Sequence, residues 1–172
     1  MKTGIIGTYL LRTLLFTLVF CLFIPVITEA QTAKVNFSGS WVLNVAKSTL
    51  GDNTRMGGGN FIAAQEANLL SVERTRTNRD GETVTTTMKY TLDGKESINT
   101  SPRGDSKSVA SWSADGKTLT INTSRTFEMN GETINMKTVE VWSLTDPKTI
   151  TIQSTATSPN GERKLSMVYD KK

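Results

Sequence analysis

Residues 117–144 read KTLTINTSRTFEMNGETINMKTVEVWSL. Apolar and polar side chains alternate on both sides of Asn130-Gly131. Leu119, Ile121, Thr123, Arg125 and Phe127 fall on one row, and Ile134, Met136, Thr138, Glu140, Trp142 and Leu144 fall on the next. Period-two alternation marks a strand with one buried face. Asn-Gly marks a tight hairpin, because a type I′ turn needs positive φ at both central residues. The stretch is therefore a long β-hairpin with a partly polar inner row.

The same punctuation recurs on either side, at Asp80-Gly81, Asp93-Gly94, Asp115-Gly116 and Asn160-Gly161. It predicts strands near 39–46, 68–78, 82–92, 95–100, 106–114, 117–128, 132–144, 148–157 and 162–170. Residues 47–67, with the Gly57-Gly58-Gly59 run, read as a long loop in which 61–68 forms a short helix or lid. The fold class is all-β, an antiparallel up-and-down meander. Such a chain loses its exposed edges by closing into a barrel of about eight to ten strands, or buries its apolar face by packing as two sheets.

The first thirty residues differ. Lys2 and Arg12 precede a nearly unbroken apolar run from Leu14 to Ile27, followed by Thr28-Glu29-Ala30. A basic start, a short apolar core and small residues before the break are the layout of a secretory signal peptide. Residues 1–30 are thus expected to be a signal peptide cleaved near Ala30, with an uncleaved anchor as the alternative. Residues 31–172 form one domain, and the expected location is secreted or periplasmic. Cys21, the one cysteine, lies in the leader, and the chain has no histidine. Thiolate chemistry, the commonest general base and the commonest metal ligand are therefore missing from the mature part, and neither a metal site nor a cofactor is expected. The net charge of +4 contains no Lys/Arg run, so nucleic acid is not an expected partner. An outer-membrane barrel would need a lipid-facing apolar row. Here the outer rows are Thr, Ser, Asn, Lys and Glu, so stable membrane insertion is not expected and a monomer is.

Following the inner row strand by strand separates two levels. Leu70, Val72, Tyr90, Leu92, Trp112, Leu119, Ile121, Trp142, Ile150, Ile152 and Tyr169 gather at one end. Arg74, Arg76, Thr86, Thr123, Arg125, Glu140, Ser154 and Arg163 gather toward the other. This describes a cup with an apolar floor, unless the arginines are simply wet strand ends. Guanidinium groups in a cavity that excludes water suit a carboxylate, sulfate or phosphate head. Candidate ligand-binding residues are Arg74, Arg76, Arg125 and Glu140 for the head, Met88, Met136 and Phe127 for the apolar wall, and Thr86 and Thr123 between them. Glu140 is expected to pair with one of the arginines. Arg103-Gly104-Asp105 spells an adhesion tripeptide but is ordinary turn chemistry.

Phe37-Ser-Gly-Ser-Trp-Val-Leu-Asn44, with Gly39-Ser40-Trp41 inside it, resembles the opening strand of the calycin group, which includes lipocalins and fatty-acid-binding proteins. The segment FSGSWVLNVAKSTLG is also similar to the start of bacterial secreted lipocalin-like domains. The closing Val168-Tyr169-Asp170-Lys171 looks like the last strand of fatty-acid-binding proteins. The resemblance implies a barrel with Trp41 at its closed end and a small apolar or amphipathic ligand inside. It departs from the pattern where fatty-acid-binding proteins carry Arg-x-Tyr on the last strand, since Met167 and Tyr169 stand there. The expected function is non-catalytic binding of such a ligand. The alternative is a filled barrel that binds a partner through loops 47–67 and 101–105.

Overall fold

A computed structural model describes residues 33–51, 59–77, 81–101, 104–129 and 131–172. The side chains of Arg76, Thr77 and Met129 lie outside that description, as do residues 1–32 and with them the signal-peptide expectation. Ten strands follow in order: β1 Gly39–Leu43, β2 Phe61–Gln65, β3 Leu69–Thr77, β4 Thr83–Thr91, β5 Glu96–Asn99, β6 Ser106–Trp112, β7 Thr118–Met129, β8 Glu132–Asp146, β9 Thr149–Ser158 and β10 Gly161–Lys171. All pair antiparallel in a single sheet of order β4-β3-β2-β1-β10-β9-β8-β7-β6-β5. The hairpin train is thus realised, and it wraps so that the last strand meets the first. The expected eight-to-ten-stranded barrel is what forms, rather than two separate sheets.

Three local expectations fail. Residues 61–65 are neither loop nor lid helix but strand β2, with Phe61 and Ala63 buried and Ile62 and Ala64 exposed. The reason is nonlocal. FIAAQ has no decisive propensity of its own, but Trp41↔Phe61 on one side and Phe61↔Arg74 on the other hold it in the sheet. The first strand also ends at Leu43 rather than 46, where a short 3₁₀ turn, Val45–Lys47, takes over. Ala114, expected on the inner row, lies in the exposed turn after β6.

The barrel is nearly closed. β4 and β5 lie side by side without a main-chain ladder, and side chains span the gap. Asn99 Oδ1 accepts from the Lys89 amide at 2.7 Å, and Asn99 Nδ2 donates to the Lys89 carbonyl at 2.9 Å. Beside them, Ser97 Oγ accepts from the Thr91 amide at 2.8 Å.

The core sits at one end. Trp41, Leu70, Leu119, Ile121, Trp142, Ile150, Ile152 and Tyr169 are almost wholly enclosed there. Each apolar side chain taken out of water contributes about 1.5–3 kcal/mol. Phe37, in the lead-in to β1, completes this floor by stacking on Trp112 at 5.8 Å and meeting Trp142 edge-on. Three hydrogen bonds hold the lead-in across the barrel end. Gln65 accepts from the Phe37 amide and donates to the Val35 carbonyl, while the Val35 amide donates to Gly116. Gly116 has φ +67°, and a Cβ there would lie 3.0 Å from the Ala33 carbonyl oxygen. Both the turn and the close approach require glycine.

Candidate functional site

Above the floor the inner row turns polar, and the register decides which polar groups meet. Arg74 on β3 lies opposite Phe61 on β2 and Thr86 on β4. Its guanidinium carbon sits 4.9 Å from the centre of the Phe61 ring and 5.9 Å from that of Trp142. The aromatic faces of the floor therefore carry the cation, an arrangement that strengthens when water is excluded. Nη1 of Arg74 is enclosed and has no hydrogen-bond partner.

Glu140 on β8 meets the same aromatic group. Its Oε2 accepts from the Trp142 indole N–H at 2.9 Å. The expected Glu140–arginine ion pair does not form among the described side chains; the pairs seen there include surface lysine–carboxylate pairs such as Lys95–Asp93 and Lys164–Glu162. Glu140 acts on Arg74 through its field instead. Burial alone would lower the Arg74 pKa, but the charge of Glu140 and the contact with Tyr169 outweigh it and hold the group above its ordinary value. Burial raises the pKa of the Tyr90 hydroxyl well above the usual range, with Glu140 adding to the effect. Tyr169 is raised for the same first reason. Both phenols stay neutral at any physiological pH and can donate or accept. The cluster is thus one cation, one carboxylate and two neutral hydroxyls resting on aromatic rings.

Arg125 has a different environment. Its Nη2 donates to Ser101 Oγ at 2.6 Å and reaches the Gly104 carbonyl at 3.4 Å. Its guanidinium carbon lies 5.7 Å from the Phe127 ring centre, and Nε is enclosed without a partner. Arg125 thus anchors the β5–β6 loop. Met136 lies opposite it in register and Phe127 opposite Ile134, so these form one wall. Met88 and Thr86 stand beside Val72 and Arg74 on the β3–β4 side. The Thr123 hydroxyl is shared with Ser108 at 2.9 Å. Thr86, Met88, Thr123, Phe127 and Met136 are all half-buried on inner rows, as expected. Arg163 is exposed. Arg76 occupies its expected place on β3, opposite Val84.

The sequence reading placed Arg74 and Glu140 on inner rows but missed the rings they share. Phe61 was read as loop, and Tyr90, Trp142 and Tyr169 were read as floor only. A signal existed for Tyr90 and Tyr169, since a buried phenol needs a polar partner. The loop alternative changes too, because β2 takes residues 61–65 out of the segment 47–67. Two depressions, of about 250 and 300 Å³, lie on the outer faces of β6–β8 and β9–β10, away from this cluster. No group of three His, Cys, Asp or Glu able to hold a metal occurs among the described residues.

No family model matches the sequence, and no curated protein does. Among solved structures, the chain is similar to zebrafish ileal bile acid-binding protein complexed with cholic acid. The TM-score is 0.51 and the identity 18%, over 79% of this chain and 98% of that one. The fold shared with it is an antiparallel up-and-down β-barrel, here of ten strands. At this identity the likeness is one of fold. Within the barrel, Arg74 of β3 reaches Tyr169 of β10.

Proposed function

We propose that the protein is an exported, non-catalytic carrier that holds a small amphipathic molecule inside the barrel, with an anionic head at Arg74 and an apolar body along Met88, Met136 and Phe127. The observation that carries this reading is Nη1 of Arg74, an enclosed cationic donor with no partner in the protein. Buried donors are normally satisfied, and an orphan cation inside the barrel suits an anionic acceptor from outside. The neighbouring structure, a bile acid-binding protein holding cholic acid, supports the class of ligand. The leader-like residues 1–30 support export.

Native mass spectrometry of the protein purified from its own host, beside a denatured sample, tests the reading. A mass that travels with the folded protein and vanishes on denaturation is expected. Arg74→Met should weaken binding of dodecanoate by about tenfold or more, as loss of a charge-assisted hydrogen bond implies. A bare mass together with no uptake of dodecanoate would overturn it.

A further inference from the structure

The interior site holds one feature that anion binding alone does not explain, a carboxylate facing the cation it does not touch. Glu140 is fixed by the Trp142 indole at 2.9 Å, and the same indole ring lies 5.9 Å beneath Arg74. Trp142 thus spaces the two charges. Glu140 balances the charge of Arg74 in an interior where an uncompensated charge is costly, and it leaves Nη1 of Arg74 without a partner. We propose that Glu140 is the specificity-determining residue of this site, admitting a head with no more than one negative charge and turning away dianionic heads. This rests on the binding reading above.

The charges decide the outcome. The empty cluster is neutral, with Arg74 against Glu140 and with Tyr90 and Tyr169 uncharged. A carboxylate can join Arg74 at Nη1. Among the described side chains, two other cations are turned to other partners. Arg125 is engaged by Ser101 and Gly104. Lys171 lies over the Trp41 ring, 5.3 Å from its centre, at the floor. A second negative charge on the head therefore meets the repulsion of Glu140, which the poorly screened interior preserves.

The test is displacement of anilinonaphthalene sulfonate by three ligands of equal chain length, at about pH 8, where a phosphate monoester is dianionic. The ligands are dodecanol, dodecanoate and dodecyl phosphate. Wild type should bind dodecanoate more tightly than dodecyl phosphate. Glu140→Gln, which keeps an oxygen for the indole, should strengthen dodecyl phosphate about tenfold or more, dodecanoate less, and dodecanol not at all. Glu140→Ala, checked by thermal melting, should show the same order should the Gln variant fold poorly. The proposal is overturned if all three ligands respond equally to the substitutions, or if wild type already prefers the phosphate. Failure of wild type to bind any of the three would instead remove the carrier reading on which it rests.

Discussion

The barrel has two seams, and they are made differently. At the first, β1 meets β10 through a main-chain ladder, Trp41↔Lys171, Val42↔Asp170 and Leu43↔Tyr169. Main-chain bonds extend it at both ends. The Lys172 amide donates to Ser40, the Asn44 amide to Val168, and Thr49 and Ser166 exchange amide-to-carbonyl bonds at 2.7 and 2.9 Å. At the second, β4 meets β5 through the side chains of Asn99 and Ser97. A main-chain ladder tolerates most side chains because every residue carries its own donor and acceptor. A side-chain seam depends on two particular residues. The first seam should therefore be limited by packing and the second by hydrogen bonding.

The largest break in that comparison is expected at the first seam. Trp41→Ala removes a fully buried ring between Phe61 and the lead-in, and should cost about 3–5 kcal/mol in urea unfolding, while the ladder itself persists in any molecules that remain folded. Next comes Asn99→Ala, which orphans the Lys89 amide and carbonyl together and should cost about 1–3 kcal/mol. An unchanged unfolding midpoint would show that the second seam contributes nothing. Smaller still is a difference visible without mutation. Amide exchange at Lys89 and Thr91 should be faster than at Asn44, Thr49 and Ser166, since a seam of two side chains opens at lower free energy than a ladder.

The smallest effect concerns acid, where each seam carries a depressed carboxylate. At the second, hydrogen bonds from the Lys95 side chain and amide pull the Asp93 pKa from the ordinary 3.8 to about 2. At the first, Asn44 and Lys47 hold Asp170 below its ordinary value. A folded-state pKa below the unfolded one adds stability that is fully present above the unfolded value and lost as pH falls through the folded one. Asp93→Asn should therefore flatten part of the acid limb between about pH 4 and 2 and leave neutral stability nearly unchanged. Both groups are exposed, so salt should shrink the effect. An acid limb identical to wild type would show that the turn makes no contribution.

How much could be read in advance follows the range of the interactions. Asn130-Gly131 and its relatives set turns within four residues, and alternation set the faces of β7 and β8, so those elements were legible. Phe61 was not, because only its neighbours β1 and β3 make it a strand. Arg74 and Arg125 looked alike on paper, two inward arginines above an apolar floor. Barrel curvature sends one onto the Phe61 and Trp142 rings and the other to Ser101, and no local pattern distinguishes the two.

By itself, then, the sequence determined the strands from Leu69 onward, their hairpin connections, the apolar floor and the polarity of the inner rows, because hairpin turns and period-two burial are short-range and additive. The tertiary structure decided the rest: β2, the Asn99 seam, the gathering of Arg74, Glu140, Tyr90 and Tyr169 around Trp142, and the diversion of Arg125 to a loop. These depend on closure of the sheet, which brings residues far apart in sequence within reach at one register only.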